Sequence, residues 1–380
     1  MLYDQVNHMR HTDARHRARG MAISSIRRRV VVVGGGLIGC ASAYQLTRAG
    51  FDVTLMERDA IASNASRYNA GNLNPLHGTP SFLLSFALEA FHLHEQVRAE
   101  LARLGCVVPV FPVQRIHLGY EERDRESLED IAALFDSTAG FSATWLTGVE
   151  LSSREPRLSP DLRFGVLTEG NLAIDSYEFT RSLALGSEKL GALLLHAAAF
   201  GVVASGQRVT GIQTTREVVA CDDVVFATGP WVADTRSWLG IDLAVEPVKG
   251  ELLLMRMEEA PRCDFTWGLT SLYRRRGNQL WVGVTREKCG FDCTPTAKAR
   301  DSLLDRAARI IPEIRSAEVL EHVAALRPMT PSNAPIAARA DGWENVYIAN
   351  GAGSKGVLYC VGIARMICEL LLQTRNKLPQ

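Results

Sequence analysis

The stretch VVVVGGGLIGCASAYQLTRAGFDVTLMERD, residues 30 to 59, decides the fold. A β-branched run enters a glycine turn, an apolar segment of helical spacing follows, and a second β-branched run ends at Glu57. Strand, turn, helix and strand in that order build a dinucleotide site. Gly34 permits the tight turn, Gly36 lets the backbone approach a pyrophosphate, and Gly39 lets the helix pack closely on the strand. Leu37 and Ile38 open the helix, so their N–H groups aim at the phosphates. Glu57, a little over twenty residues after Gly34, is placed to accept hydrogen bonds from an adenosine ribose. This fingerprint does not separate FAD from NAD, because both carry the same ADP half. Arg58 leaves room for a 2′-phosphate, although Glu57 would repel one.

Length and composition bound the rest. A chain of 380 residues is too long for one small core and suits two domains. With 47% hydrophobic and 22% charged residues it reads as an ordinary globular protein. Its 42 basic and 42 acidic residues cancel, so no nucleic-acid partner is expected. The segment before Val30 is the exception, with Arg10, Arg15, Arg17, Arg19, Arg27, Arg28 and Arg29 against Asp4 and Asp13. It lacks the apolar centre of a secretory signal and is expected to be a basic, disordered tail over residues 1 to 28, with Met21 a second candidate start. No uninterrupted apolar run approaches the roughly 20 residues a bilayer span needs, so no membrane span is expected. The eight cysteines show no CxxC pair and no histidine partner at zinc spacing. That usage argues against a metal site and suits the reducing cytoplasm.

Two distant segments extend the opening motif. DDVVFATGPWVADT, residues 222 to 235, is an apolar strand running into Ala227, Thr228 and Gly229; NVYIANGAGSKGVLYCVGIARMIC, residues 345 to 368, is again strand, glycine turn and helix. With these pieces the chain resembles the FAD-dependent amine and amino-acid oxidoreductase superfamily that includes D-amino-acid oxidase, glycine oxidase and sarcosine oxidase. The resemblance runs over residues 29 to 372 and includes SNASRYNAGNLNPL (63 to 76), NLAIDSYEFTRSLALGSEKLGA (171 to 192), EPVKGELLLM (246 to 255) and ALRPMTPSNAPIA (325 to 337). It implies an α/β architecture: a Rossmann-like FAD-binding domain (29–80, 155–240, 328–375) interleaved with an α+β substrate domain having an antiparallel sheet (81–154, 241–327). It also implies that the cofactor is met by Ser66, Asn69, Ala70, Gly71, Asn72 and Leu73 of the flavin-side loop and by Thr228, Gly229 and Trp231. The closing turn would add Gly351, Gly353, Ser354, Lys355 and Gly356, and Phe200 would touch the adenine. Sarcosine oxidase attaches its flavin through a cysteine where this chain has Ala325, so noncovalent FAD is implied.

The same resemblance assigns the chemistry. Arg327, in ALRPMTPS, takes the place of the arginine that binds the amino-acid carboxylate, a task suited to a guanidinium fork. Tyr273 would complete that carboxylate site. The glycine turn at 351 to 356 would present positive potential to a developing anion, with the Lys355 side chain as an additional charge. His77 reads as a hydrogen-bonding or structural histidine, because amine oxidation needs only a neutral amine. Trp281 stands where sarcosine oxidase has an oxygen-activating lysine, which leaves open whether oxygen or another acceptor takes the electrons. The implied activity is oxidation of the C–N bond of a small amino acid or N-substituted amino acid by hydride transfer to flavin N5, with imine hydrolysis and reoxidation by oxygen. The alternatives are a dehydrogenase, possibly one subunit of a complex and perhaps acting on a 2-hydroxy acid, and a nonenzymatic flavin-binding protein.

Overall fold

A computed structural model of the chain describes residues 27–375. The tail expected from the sequence falls outside them except for its last two residues, Arg27 and Arg28. Arg28 pairs with the buried carboxylate of Asp223. It therefore belongs to the folded domain, which corrects the boundary drawn after residue 28.

Six strands form the nucleotide-side sheet in the order Ile336–Arg339, Val346–Asn350, Asp223–Phe226, Arg29–Val33, Asp52–Glu57, Leu193–His196. All neighbours run parallel except Ile336–Arg339. The unbroken valine run follows from burial on both faces. Val30 and Val32 enter a core beneath the helices Leu37–Arg48 and Gly356–Arg375. Val31 and Val33 enter a second core with Val209 and Ile212 of a three-stranded antiparallel sheet.

The second layer is a nine-stranded sheet, antiparallel except where Asp264–Trp267 runs parallel to Val110–Gly119. Its two faces differ by strand alternation. Ile116, Leu253, Met255, Phe265, Leu272 and Val282 pack on one face against Leu303, Ala307 and Ile310 of the helix Ala297–Ile310. Thr296 caps that helix through the Ala299 N–H, and Pro312 stands just beyond its end. The intervening residues Arg115, His117, Asp264, Thr266, Ser271 and Tyr273 make the other face polar. That polar face meets the nucleotide side, since the His77 ring stands edge-on to His117 with centroids 4.6 Å apart.

Two sequence expectations change here. The helix Leu84–Arg103, assigned from its pattern to the substrate domain, buries Ala87, Ala90, Val97 and Leu101 in the nucleotide-side core against Gly356–Arg375. The strand Phe164–Ile174, placed in the FAD domain, instead pairs with Val110–Gly119 in the nine-stranded sheet. Residues Gly353–Thr374, interrupted by Lys355, Arg365 and Glu369, are long and apolar enough to cross a bilayer by length and composition alone. The apolar side chains of this segment, among them Leu358, Val361, Ile363 and Ile367, are the centre of the nucleotide-side core. Arg365 leaves it to pair with Glu89 at 2.7 Å.

Candidate active site

Each glycine of the opening motif has a distinct steric reason. Gly34 has φ +113°, and a Cβ there would stand 2.4 Å from the Ala227 carbonyl oxygen. A Cβ on Gly39 would stand 1.8 Å from the Gly34 carbonyl oxygen, so helix and turn touch backbone to backbone. At Gly36 the added atom would meet only Ser66 Oγ at 3.1 Å, which leaves open space on the cleft side. Ser66 Oγ accepts the Leu37 N–H at 2.9 Å, tying the flavin-side loop to the helix start. Glu57 accepts the N–H groups of Gly35 at 2.6 Å and Asp59 at 2.8 Å, which hold its carboxylate at the cleft edge.

These elements border an open cleft that runs from the glycine turn to the closing helix. Gly34, Gly36, Leu37, Ile38, Glu57 and Arg58 line it from the opening motif. Ser66 and Asn69 line it from the loop, with Thr228, Gly229 and Trp231 from the middle segment and Ser354 and Gly356 from the closing one. Arg58 lies over the Trp231 ring, 4.5 Å from its centroid. Thr228 Oγ1 is buried with no hydrogen-bond partner among the described residues, an acceptor or donor left for a ligand. The residues present therefore fit FAD.

Other expected contacts fall behind the cleft wall or serve to hold it in place. Gly39 acts through packing, and Asn69 uses its side chain to brace the loop, donating to Ala65 and Ser66 carbonyls and accepting the Gly71 N–H at 2.8 Å. Ala70, Gly71, Asn72 and Leu73 do not border the cleft; Asn72 and Leu73 pair with the nine-stranded sheet. Gly351 and Gly353 have φ +71° and +53° and shape the turn that exposes Ala352 and Ser354 instead. Phe200 does not border the cleft. It falls at a β-bulge between Ala199 and Gly201 and is 55% exposed, while Ala197 and Ala199 supply the wall.

On the polar face of the large sheet, Arg327 pairs in register with Val248, and Ala325 with Gly250. The missing side chain at Gly250 lets the Arg327 guanidinium lie over it and donate to the Thr285 carbonyl at 3.3 Å. Among the described residues Arg327 has no carboxylate partner. Burial, and next the nearby Arg286, pull its pKa down to about 10. The neighbouring residues Leu326 and Pro328 line the cofactor cleft, so this strand joins the two sites.

Tyr273 lies on the same face, with the Arg115 guanidinium 5.1 Å from its ring centroid. Arg115 is itself neutralised by Asp264 at 2.9 Å, and Asn72 Oδ1 accepts from it at 2.8 Å when its amide is turned toward it. His117 is held neutral by burial, with its pKa well below the ordinary value. Burial, reinforced by Lys355 and Arg115, brings His77 down to about 4. Lys355 is not a charge on the cleft wall. Its ammonium donates to the carbonyls of Asn74 at 2.8 Å and His77 at 2.7 Å, and burial lowers its pKa to about 7. Arg275, unnoticed in the sequence, donates to the Asn69 carbonyl at 3.1 Å and so ties the sheet to the flavin-side loop.

Comparison with known proteins agrees with this geometry. The chain is 29% identical over 366 residues to a glycine oxidase of Pseudomonas putida, covering 90% of this chain and 94% of that protein. A D-amino acid dehydrogenase of Cereibacter sphaeroides is 26% identical over 399 residues, covering 90% and 91%. The crystal structure of glycine oxidase from Geobacillus kaustophilus superposes with a TM-score of 0.84 at 26% identity, covering 91% of this chain and 95% of that one. The family described as DAO, FAD dependent oxidoreductase, matches residues 29–370. A fitted dinucleotide cleft, a polar sheet roofing it and a match over nearly the whole chain lead to one conclusion: the protein belongs to the DAO family of FAD-dependent oxidoreductases.

Proposed function

We propose that the protein oxidises the C–N bond of a small amino acid or N-substituted amino acid, giving an imine that water hydrolyses, with oxygen as the electron acceptor. The observation that carries this reading is Arg327, a guanidinium held on the polar face of the sheet with no carboxylate partner among the described residues. Such a group binds a substrate carboxylate through two parallel hydrogen bonds and so sets both position and angle. The likeness to glycine oxidases supports the choice of an amino acid.

FAD, when bound, supplies the two-electron acceptor. The chain's own residues do the rest. Arg327 orients the substrate, and the nine-stranded sheet roofs the cleft and limits water. His77 and His117 stay uncharged at neutral pH, so they place no cation beside the substrate nitrogen. Lys355 fixes the loop carbonyls at Asn74 and His77, which sets the position of the flavin-side loop. The N-terminus of the helix Gly356–Arg375 borders the cleft and favours negative charge there. The buried thiols of Cys40, Cys106, Cys221, Cys263 and Cys360, none of them in a disulfide, support placing the protein in the reducing cytoplasm.

Transfer of electrons to an acceptor other than oxygen is the second reading, favoured by the likeness to D-amino acid dehydrogenase. One experiment tests both. Purified protein is mixed anaerobically with an amino-acid panel while flavin absorbance is followed, and air is then admitted. Bleaching by an amino acid and recovery in air within the turnover time supports the oxidase. Bleaching without recovery selects the second reading, and no bleaching by any member contradicts amino-acid oxidation.

A further inference from the structure

Arg327 does not stand alone on its face of the sheet. Lys249 and Glu287 exchange backbone hydrogen bonds at 2.9 and 3.0 Å, and the Glu251 N–H donates to Thr285 Oγ1 at 2.9 Å. That pairing sets Arg286 directly across from Gly250. Paired residues share a face, so Arg286 rises on the same side as Arg327, whose guanidinium already covers Gly250. The Arg327 guanidinium is thus about one strand spacing, roughly 5 Å, from the Arg286 backbone.

The acids of this neighbourhood are all committed elsewhere. Glu246 pairs with Lys288 at 2.6 Å, and Glu287 with Lys249 at 3.7 Å. Glu251 pairs with Lys249 at 3.2 Å and meets His322 at 2.8 Å. Among the described residues neither Arg286 nor Arg327 has an acid partner. Two like charges on one face, one half-buried and one exposed at the rim, repel each other unless a ligand brings more than one negative charge.

We infer that the preferred substrate is an amino acid bearing a second carboxylate, with Arg327 holding the first carboxylate and Arg286 receiving the second. This rests on the amino-acid reading above. A monocarboxylic substrate would leave the Arg286 charge uncompensated, whereas a dicarboxylic one neutralises both guanidinium groups and loses the mutual repulsion.

The test has a binding arm and a turnover arm on the FAD-loaded protein. In the first, succinate and propionate are titrated and the perturbation of flavin absorbance gives each dissociation constant. Succinate is expected to bind at least about tenfold more tightly than propionate. Arg286→Ala should remove that advantage and leave propionate within about twofold, while Arg286→Lys keeps part of it. Equal affinity for the two acids in the unaltered protein, or equal weakening of both by Arg286→Ala, overturns the second subsite. Failure of both acids to bind overturns the Arg327 clamp as well. In the turnover arm, anaerobic flavin reduction by D-aspartate and iminodiacetate is compared with that by D-alanine and sarcosine. Arg286→Ala should slow the dicarboxylic pair roughly tenfold and the monocarboxylic pair less than twofold. If no amine of either class reduces the flavin, the proposed oxidation fails, and the acid titration still decides whether the subsite exists.

Discussion

The guanidinium of Arg327 lies so close over Gly250 that a Cβ added at position 250 would stand 2.1 Å from its Nη2. The clash is with the working end of the side chain and not with the backbone. Gly250→Ala should therefore leave the sheet paired and push Arg327 off its position. A misplacement of about 1 Å in a positioning group costs on the order of 10²-fold. Specificity constants for carboxylate substrates should fall by that order while FAD content and absorbance stay normal, as steady-state kinetics and spectra on one preparation will show.

The glycines of the opening motif separate packing from cofactor approach. Gly39→Ala would force a methyl group against the Gly34 carbonyl oxygen, 1.8 Å away, so both the fold and FAD content should suffer. Gly36→Ala meets only Ser66 Oγ at 3.1 Å and should fold with near-normal secondary structure, yet its methyl group stands where a pyrophosphate would approach. Circular dichroism paired with acid-released FAD checks this: Gly36→Ala folded and FAD-poor, Gly39→Ala impaired in both. A Gly36→Ala protein with full FAD content would contradict the cleft assignment.

The sequence made the nucleotide side legible because its determinants are local. Gly34, Gly39 and Glu57 act within one strand, turn, helix and strand unit, and their steric demands leave a mark in the residue types themselves. What stayed hidden was set by distant partners. The apolar stripe of Leu84–Arg103 announces a buried face but not which layer buries it. Phe200 stays off the cleft wall where a β-bulge shifts register, since a shift of one residue turns a side chain to the other face. Arg115 and Asp264 meet across 149 residues of chain, and Arg286 joins Arg327 only through the register of a strand extension. Lys355 reads in the sequence as an additional charge on the glycine turn; its capture by two loop carbonyls depends on where residues 74 to 77 return.

Acid should weaken the fold through His77 and Lys355. Each has a folded pKa below its ordinary value, about 4 against 6.5 for His77 and about 7 against 10.5 for Lys355. The unfolded chain therefore binds more protons than the folded one between each pair of values, and stability rises with pH there. For His77 the rise spans about pH 4 to 6.5, and for Lys355 about pH 7 to 10.5. Thermal unfolding across pH should show both rises. Lys355→Met should flatten the upper one and leave the lower one in place. An unchanged upper rise would place that titration on another group.

The most direct test of the central claim compares a carboxylate substrate with its decarboxylated amine in the unaltered protein and in Arg327→Ala, by anaerobic stopped-flow measurement of flavin reduction. If Arg327 binds the substrate carboxylate, its loss should cost on the order of 3 kcal/mol, a fall of a hundredfold or more in the specificity constant for glycine or sarcosine. Reduction by methylamine or dimethylamine should change little, the FAD spectrum should be preserved, and Arg327→Lys should recover part of the loss because an ammonium lacks the bidentate fork. Unchanged reduction by the amino acids in Arg327→Ala would contradict the account.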